Sequence, residues 1–300
     1  MPTTKIALIQ AAAVLFDLNA TIEKAGRLAR EAAEGGAQFV LFPEAFIGGY
    51  PRGLGFGTVV GSRSPQGREQ WLEYFQNALV MGSPAMGRLS AIAREHGVYL
   101  AMGAVERDAQ ENTLYCSLLY FSPEGRLLHR HRKLKPTAAE RIIWGEGNGT
   151  DLTVLDTPPG RMGGLICWEN YMPLARMALY EQNVQIYLAP TADQRDSWQA
   201  TLRHIACEGR CYVLGCNQFV TKAMYPEQCR EELKGQPEVL CRGGSAVVGP
   251  LGDVVAGPLW DEEGILYAEI DLDEVVKSKM DFDVVGHYGW RGGVNERMGG

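Results

Sequence analysis

Cys167 is the side chain in this sequence best placed for chemistry. The apolar run 162–166 leads into it, and Trp168-Glu169-Asn170 follow. That pattern predicts a buried strand ending at a thiol, then a turn, then a helix from near Pro173. A thiol there is held on stiff backbone, with N–H groups of the next turn facing whatever the sulfur attacks. Glu44 follows the apolar stretch 39–43, and Lys133 ends the strand-like stretch 126–132. A free thiol has a pKa near 8.5, so about 3% is thiolate at pH 7. A carboxylate can take its proton, and an ammonium can stabilise negative charge on a substrate atom. A carboxylate beside a lysine is ordinarily only a salt bridge. Three such groups at three strand ends point to covalent catalysis.

The elements that must position them alternate. A strand at 5–11 precedes a helix capped by Asn19 and stopped by Gly35-Gly36. The strand 38–42 leads to Glu44, and glycines with Pro51 then suggest a loop over 47–67, long enough for a lid or pocket wall. Helices are expected at 68–80 and 84–96, and strands at 98–102, 113–121 and 126–133. Beyond Cys167 come a helix at 174–182, a strand at 184–188, a helix at 197–210 and a strand at 212–215. A hairpin around Pro250-Leu251-Gly252-Asp253, a strand at 265–270 and a short helix capped by Asp273 complete the set. Alternation first and hairpins later imply an α/β protein whose sheets carry both parallel and antiparallel pairs. With no repeat or linker in view, residues 1–288 are expected to form a single domain, with a short tail at 289–300.

Bulk properties narrow the function. A 300-residue chain, 46% hydrophobic, can bury roughly 75% of its unfolded surface. A net charge of -7 argues against nucleic acid and anionic membranes as partners. The basic run 129–133 is better explained as a strand with a solvated face than as a phosphate site. No apolar stretch reaches the roughly 20 residues needed to span a bilayer, and Gln10 interrupts the one stretch that imitates a signal peptide. Seven cysteines without a secretion signal favour reduced thiols and a cytoplasmic location. His204, Cys207, Cys211 and Cys216 invite a zinc site, but there is no CxxC pair and Cys216 falls in the next strand, so no metal is expected.

Three ordered segments carry a family resemblance: Phe42-Pro43-Glu44-Ala45-Phe46, His131-Arg132-Lys133-Leu134-Lys135-Pro136-Thr137 and Cys167-Trp168-Glu169-Asn170. Together they resemble the nitrilase branch of the carbon–nitrogen hydrolase superfamily, over nearly the whole chain. Residues 140–145 and 204–218 are similar to nitrilase segments too. The resemblance implies a four-layer α-β-β-α sandwich, two mixed sheets covered by helices, and a Glu44–Lys133–Cys167 triad. It suggests Glu140 as a second carboxylate that orients Lys133 or assists proton transfer. It implies hydrolysis of an organic nitrile to the acid and ammonia through a thioimidate and a thioester, with no cofactor. Tyr50 is expected to reach the substrate or Glu140, and Trp168, Thr191 and Trp198 are candidates for packing on the substrate. Bulky Trp168 beside the nucleophile favours aromatic or aliphatic nitriles, since family members with Ala there prefer arylacetonitriles.

Rival functions remain at this stage. An amidase or N-carbamoyl hydrolase would use the same triad, as would an enzyme hydrolysing cyanide. A papain-like Cys–His pair would need His129, His131, His204 or His287, none of which lies in a motif of that class. A non-catalytic relative would be expected to lack a triad member. The resemblance also implies a homodimer or higher homo-oligomer, with the helices after Cys167 as the candidate surface. Residues 289–293 depart from the Arg-Pro-Asp-like continuation usual in nitrilases, which argues against long filaments.

Overall fold

The computed structural model describes residues 3–289. Trp290 and most of the expected tail lie outside the described residues. Two seven-stranded mixed sheets form the centre. In the first, the order is Gly264–Ile270, Thr4–Gln10, Phe39–Leu41, Tyr99–Arg107, Leu114–Phe121 and Leu127–Arg132, with Leu79–Val80 also pairing on Tyr99–Arg107. In the second, it is Phe219–Thr221, Val239–Val248, Tyr212–Cys216, Ile186–Pro190, Gly160–Gly164 and Leu155–Thr157, with Val254–Trp260 pairing on Val239–Val248. The middle three strands of each sheet that feed the site run parallel, and hairpin-type antiparallel pairs flank them.

Side-chain alternation along each strand builds the layers. Ile6 and Leu8 point between the sheets, where they join Leu41, Leu188, Leu214 and Val247 in one buried cluster. Ala7 and Ile9 point the other way, onto Ile22, Ala25 and Ala29 of helix Leu18–Glu34 and Leu89 of helix Pro84–His96. On the outer face of the second sheet, Tyr187 and Ala189 pack on Leu179 of helix Pro173–Tyr180 and on Leu202 and Ile205 of helix Asp196–Gly209. The result is an α-β-β-α sandwich, as the resemblance implied.

Several boundaries differ from those expected. Asp17, not Asn19, caps the first helix, accepting the Ala20 N–H. The stretch 47–67 is not all loop: Thr58–Val59 pairs with Ser62–Arg63, and a helix starts at Pro65 behind the Ser64 cap. Strands Leu155–Thr157 and Phe219–Thr221 had no counterpart in the sequence reading.

Candidate active site

Each reactive side chain follows a strand, and left-handed backbone lies at or beside two of the three. Glu44 follows strand Phe39–Leu41, and Ala45 beside it has φ +50°. This turn presses on strand Tyr99–Arg107, where Gly103 is required. A Cβ there would come within 2.8 Å of Ala45 N and 2.9 Å of Glu44 Cα. Gln218 Nε2 donates to the Glu44 carbonyl at 2.6 Å and fixes the turn from the second sheet. Lys133 follows strand Leu127–Arg132, its N–H bonded to the Cys116 carbonyl at 2.8 Å. Cys167 has φ +52° and opens a 3-10 helix, Cys167–Tyr171. Left-handed backbone at a non-glycine residue is costly and persists only where the surroundings impose it.

The structure brings Glu44, Lys133, Glu140 and Cys167 together. Lys133 Nζ donates to Glu44 Oε1 at 2.6 Å and to Glu140 Oε2 at 2.7 Å. Glu140 is fixed in turn by the Thr137 N–H at 2.6 Å and the Tyr50 hydroxyl at 2.7 Å. The Thr191 hydroxyl lies 3.1 Å from Cys167 Sγ. Glu44 Oε2 is buried with no hydrogen-bond partner. Full burial sets the protonation states. It pushes the Glu44 carboxyl above its ordinary value, against the pull of Lys133. It also raises the Cys167 thiol well above its ordinary range, reinforced by the Glu44 charge, so the resting sulfur is a thiol. For Lys133 burial acts downward, but Glu44 and the neighbouring acidic groups outweigh it and keep the ammonium charged.

A cavity of about 320 Å³ opens above the sulfur, walled by Tyr50, Arg52, Glu140, Trp168, Asp193 and Arg195. A second cavity of about 220 Å³ shares Tyr50, Arg52 and Glu140 but does not reach Cys167. Thr191 touches the sulfur from below. Trp198 lies elsewhere: it is buried among Leu165, Leu179 and Leu202 and meets Tyr171 edge-on, and it does not line the cavity over Cys167. The apolar period of its helix sends it into the core between helix and sheet.

Sequence reasoning gave no role to Glu169, which joins two of the site segments. Its Oε2 accepts the Ile166 N–H at 2.6 Å, just before the nucleophile. Its Oε1 accepts the Leu134 N–H at 2.6 Å, just after Lys133, and both oxygens lie 3.1 Å from His131 Nε2. Burial would lower the His131 pKa, but Glu169 and Asp151 outweigh it and raise it to about 10. The available signal was the capping spacing, a carboxylate three residues past Ile166.

A thiol, a carboxylate and a buried ammonium converge under a small cavity on this sandwich, the set of groups that hydrolysis through a thiol adduct calls for. Residues 5–280 match the carbon-nitrogen hydrolase family, and the chain belongs to it. It is 49% identical over 293 residues to a protein of Lupinus angustifolius named bifunctional nitrilase/nitrile hydratase NIT4A, covering 96% of this chain and 83% of that one. It is 50% identical over 289 residues to the aliphatic nitrilase of Sinorhizobium fredii, covering 96% and 93%. Among solved structures, Nit3 of Saccharomyces cerevisiae, a member of branch 10 of the nitrilase superfamily, superposes with a TM-score of 0.76 at 21% identity, covering 96% and 97%. That likeness speaks to the fold.

Proposed function

We propose that this protein is a nitrilase, converting an organic nitrile and two waters to the carboxylic acid and ammonia. The observation that carries the reading is Lys133 Nζ held between Glu44 and Glu140 next to Cys167. The names of relatives near 50% identity select the nitrile as substrate.

Glu44 accepts the Cys167 proton as sulfur adds to the nitrile carbon, and the proton passes to nitrogen to give a thioimidate. Negative charge on that nitrogen meets the Lys133 ammonium and the Trp168 N–H. The latter lies in the first turn of the short helix from Cys167 and has no partner within it. Water then adds with Glu44 as base. The nitrogen leaves as ammonia after protonation, and a thioester remains. A second water, deprotonated by Glu44, releases the acid and returns the proton to sulfur. Glu140, fixed by Tyr50 and Thr137, keeps the lysine aimed.

The test is a nitrile panel, including benzonitrile and butyronitrile, assayed for ammonia, acid and amide. We expect ammonia and acid in equal amounts. The amide is measured because the lupin relative's name joins two activities. Turnover of benzamide without turnover of any nitrile would favour the amidase reading. The chemistry calls on no cofactor.

We also infer a homo-oligomer and a cytoplasmic location. Exposed Tyr171, which ends the 3-10 helix from Cys167, and exposed Leu174 in the first turn of helix Pro173–Tyr180 support the first. The second rests on seven free cysteines, six of them buried. Among the described residues no helix is long and apolar enough to cross a membrane. Light scattering tests the oligomer.

A further inference from the structure

Asp193 is a buried carboxylate beside the nucleophile that the reaction does not use. Only 5% of its side chain is exposed. Its Oδ2 accepts the Trp168 indole N–H at 2.8 Å, and both oxygens are bonded by the Arg195 guanidinium. Oδ1 also accepts the Arg195 N–H at 3.0 Å. Its acceptor capacity is thus spent inside the protein, not on a ligand. Arg195 in turn lies over the Trp168 ring, 4.7 Å from its centroid. The ring is therefore gripped twice, at its N–H and on its face.

The same turn holds the sulfur. Thr191 Oγ1 lies 3.1 Å from Cys167 Sγ and accepts the Asp193 N–H at 2.9 Å. Asn217 Nδ2 anchors the Asp193 carbonyl at 2.7 Å, and Arg52 reaches across to the Ala192 carbonyl. Five residues, 191–195, thus set both the nucleophile and the aromatic wall beside it. A Trp that is 40% exposed would otherwise be free to change rotamer.

We propose that Asp193 and Arg195 are specificity-determining positioning residues, a latch that clamps Trp168 and so fixes the width of the cavity above Cys167. The latch deepens the nitrilase reading, because a wall held at a fixed distance from the sulfur discriminates among substituents on the carbon under attack. Arg195 is the outer half, with 52% of its side chain exposed, so its removal does not open the core. Asp193 is the inner half. Burial raises its carboxyl, but the Arg195 and Trp168 hydrogen bonds outweigh this and hold it below its ordinary range.

The test compares the alkylation of Cys167 by a small reagent, iodoacetamide, and a bulky one, phenacyl chloride, followed by peptide mass mapping. It needs no assumption about the natural substrate. In Arg195→Ala the bulky-to-small rate ratio is expected to rise about fivefold or more. In Trp168→Ala the ratio rises further, and adding Arg195→Ala to that variant changes nothing more, because the arginine acts through the ring. A ratio unchanged in Arg195→Ala, or changed equally with and without Trp168, overturns the latch. Nitrile kinetics on the same proteins separate the two ideas. Without nitrile turnover in the unmodified enzyme the nitrilase reading fails, while the alkylation ratio still decides the latch.

Discussion

Lys133 Nζ sits 2.6 Å from Glu44 Oε1 with neither side chain exposed to solvent. A buried charge pair is a poor source of stability as a pair, but removing one partner strands the other. Lys133→Ala is expected to cost about 3–5 kcal/mol of folding free energy and to abolish turnover. Denaturant titration and ammonia release read the two effects. Lys133→Met, which keeps the volume, is expected to lose as much activity.

The pH profile follows from Glu44. Burial raises its carboxyl above the ordinary 4.5, so the base is protonated and inactive at pH values where an exposed glutamate is ionised. The acid limb of kcat/KM is expected above that value. A limb at or below 4.5 would assign the base elsewhere.

Stability has its own pH dependence through His131. Its folded pKa is raised from 6.5 to about 10, because Glu169 and Asp151 overcome burial. The proton is held more tightly in the folded state. This contribution is therefore complete below about pH 6.5 and is lost as pH rises towards 10. Tm across that range is expected to fall, and less steeply in His131→Asn than in the unmodified protein.

Glu169→Gln should reach the chemistry through backbone. Losing the acceptor for Ile166, Leu134 or His131 loosens the register between the nucleophile turn and the lysine strand end. A displacement near 1 Å costs about 10²-fold. We expect a loss of that order in kcat, with the fold retained by circular dichroism.

Tyr50→Phe removes the hydroxyl that holds Glu140 Oε1. One hydrogen bond to a charged group corresponds to about tenfold or somewhat more. The loss is expected in kcat rather than in KM. A pure KM effect would place Tyr50 on the substrate instead.

How much of this was legible differs by residue. Glu44 and Cys167 each follow a short apolar run and Lys133 a strand-like basic one, and short runs that stop at a chemically active group are readable. Glu140 is implied by resemblance and Tyr50 by its place in the glycine-rich loop, because their meeting depends on a loop and a 3-10 turn that have no periodic pattern. Trp198 is a candidate for packing on the substrate from the sequence, yet the period of its own helix sends it to the core. Ser64 and Pro65 were a usable helix start that the glycines around them obscured. Glycines 243 and 244, both at positive φ, hid the length of strand Val239–Val248, whose partner Phe219–Thr221 is only three residues long.

The most direct measurement is to quench the enzyme during benzonitrile turnover and map the covalent adduct, alongside Cys167→Ala. The account predicts acyl or imidoyl mass on the peptide carrying Cys167, and no adduct or ammonia from the folded variant. Ammonia release by Cys167→Ala, or an adduct on another thiol, would contradict it.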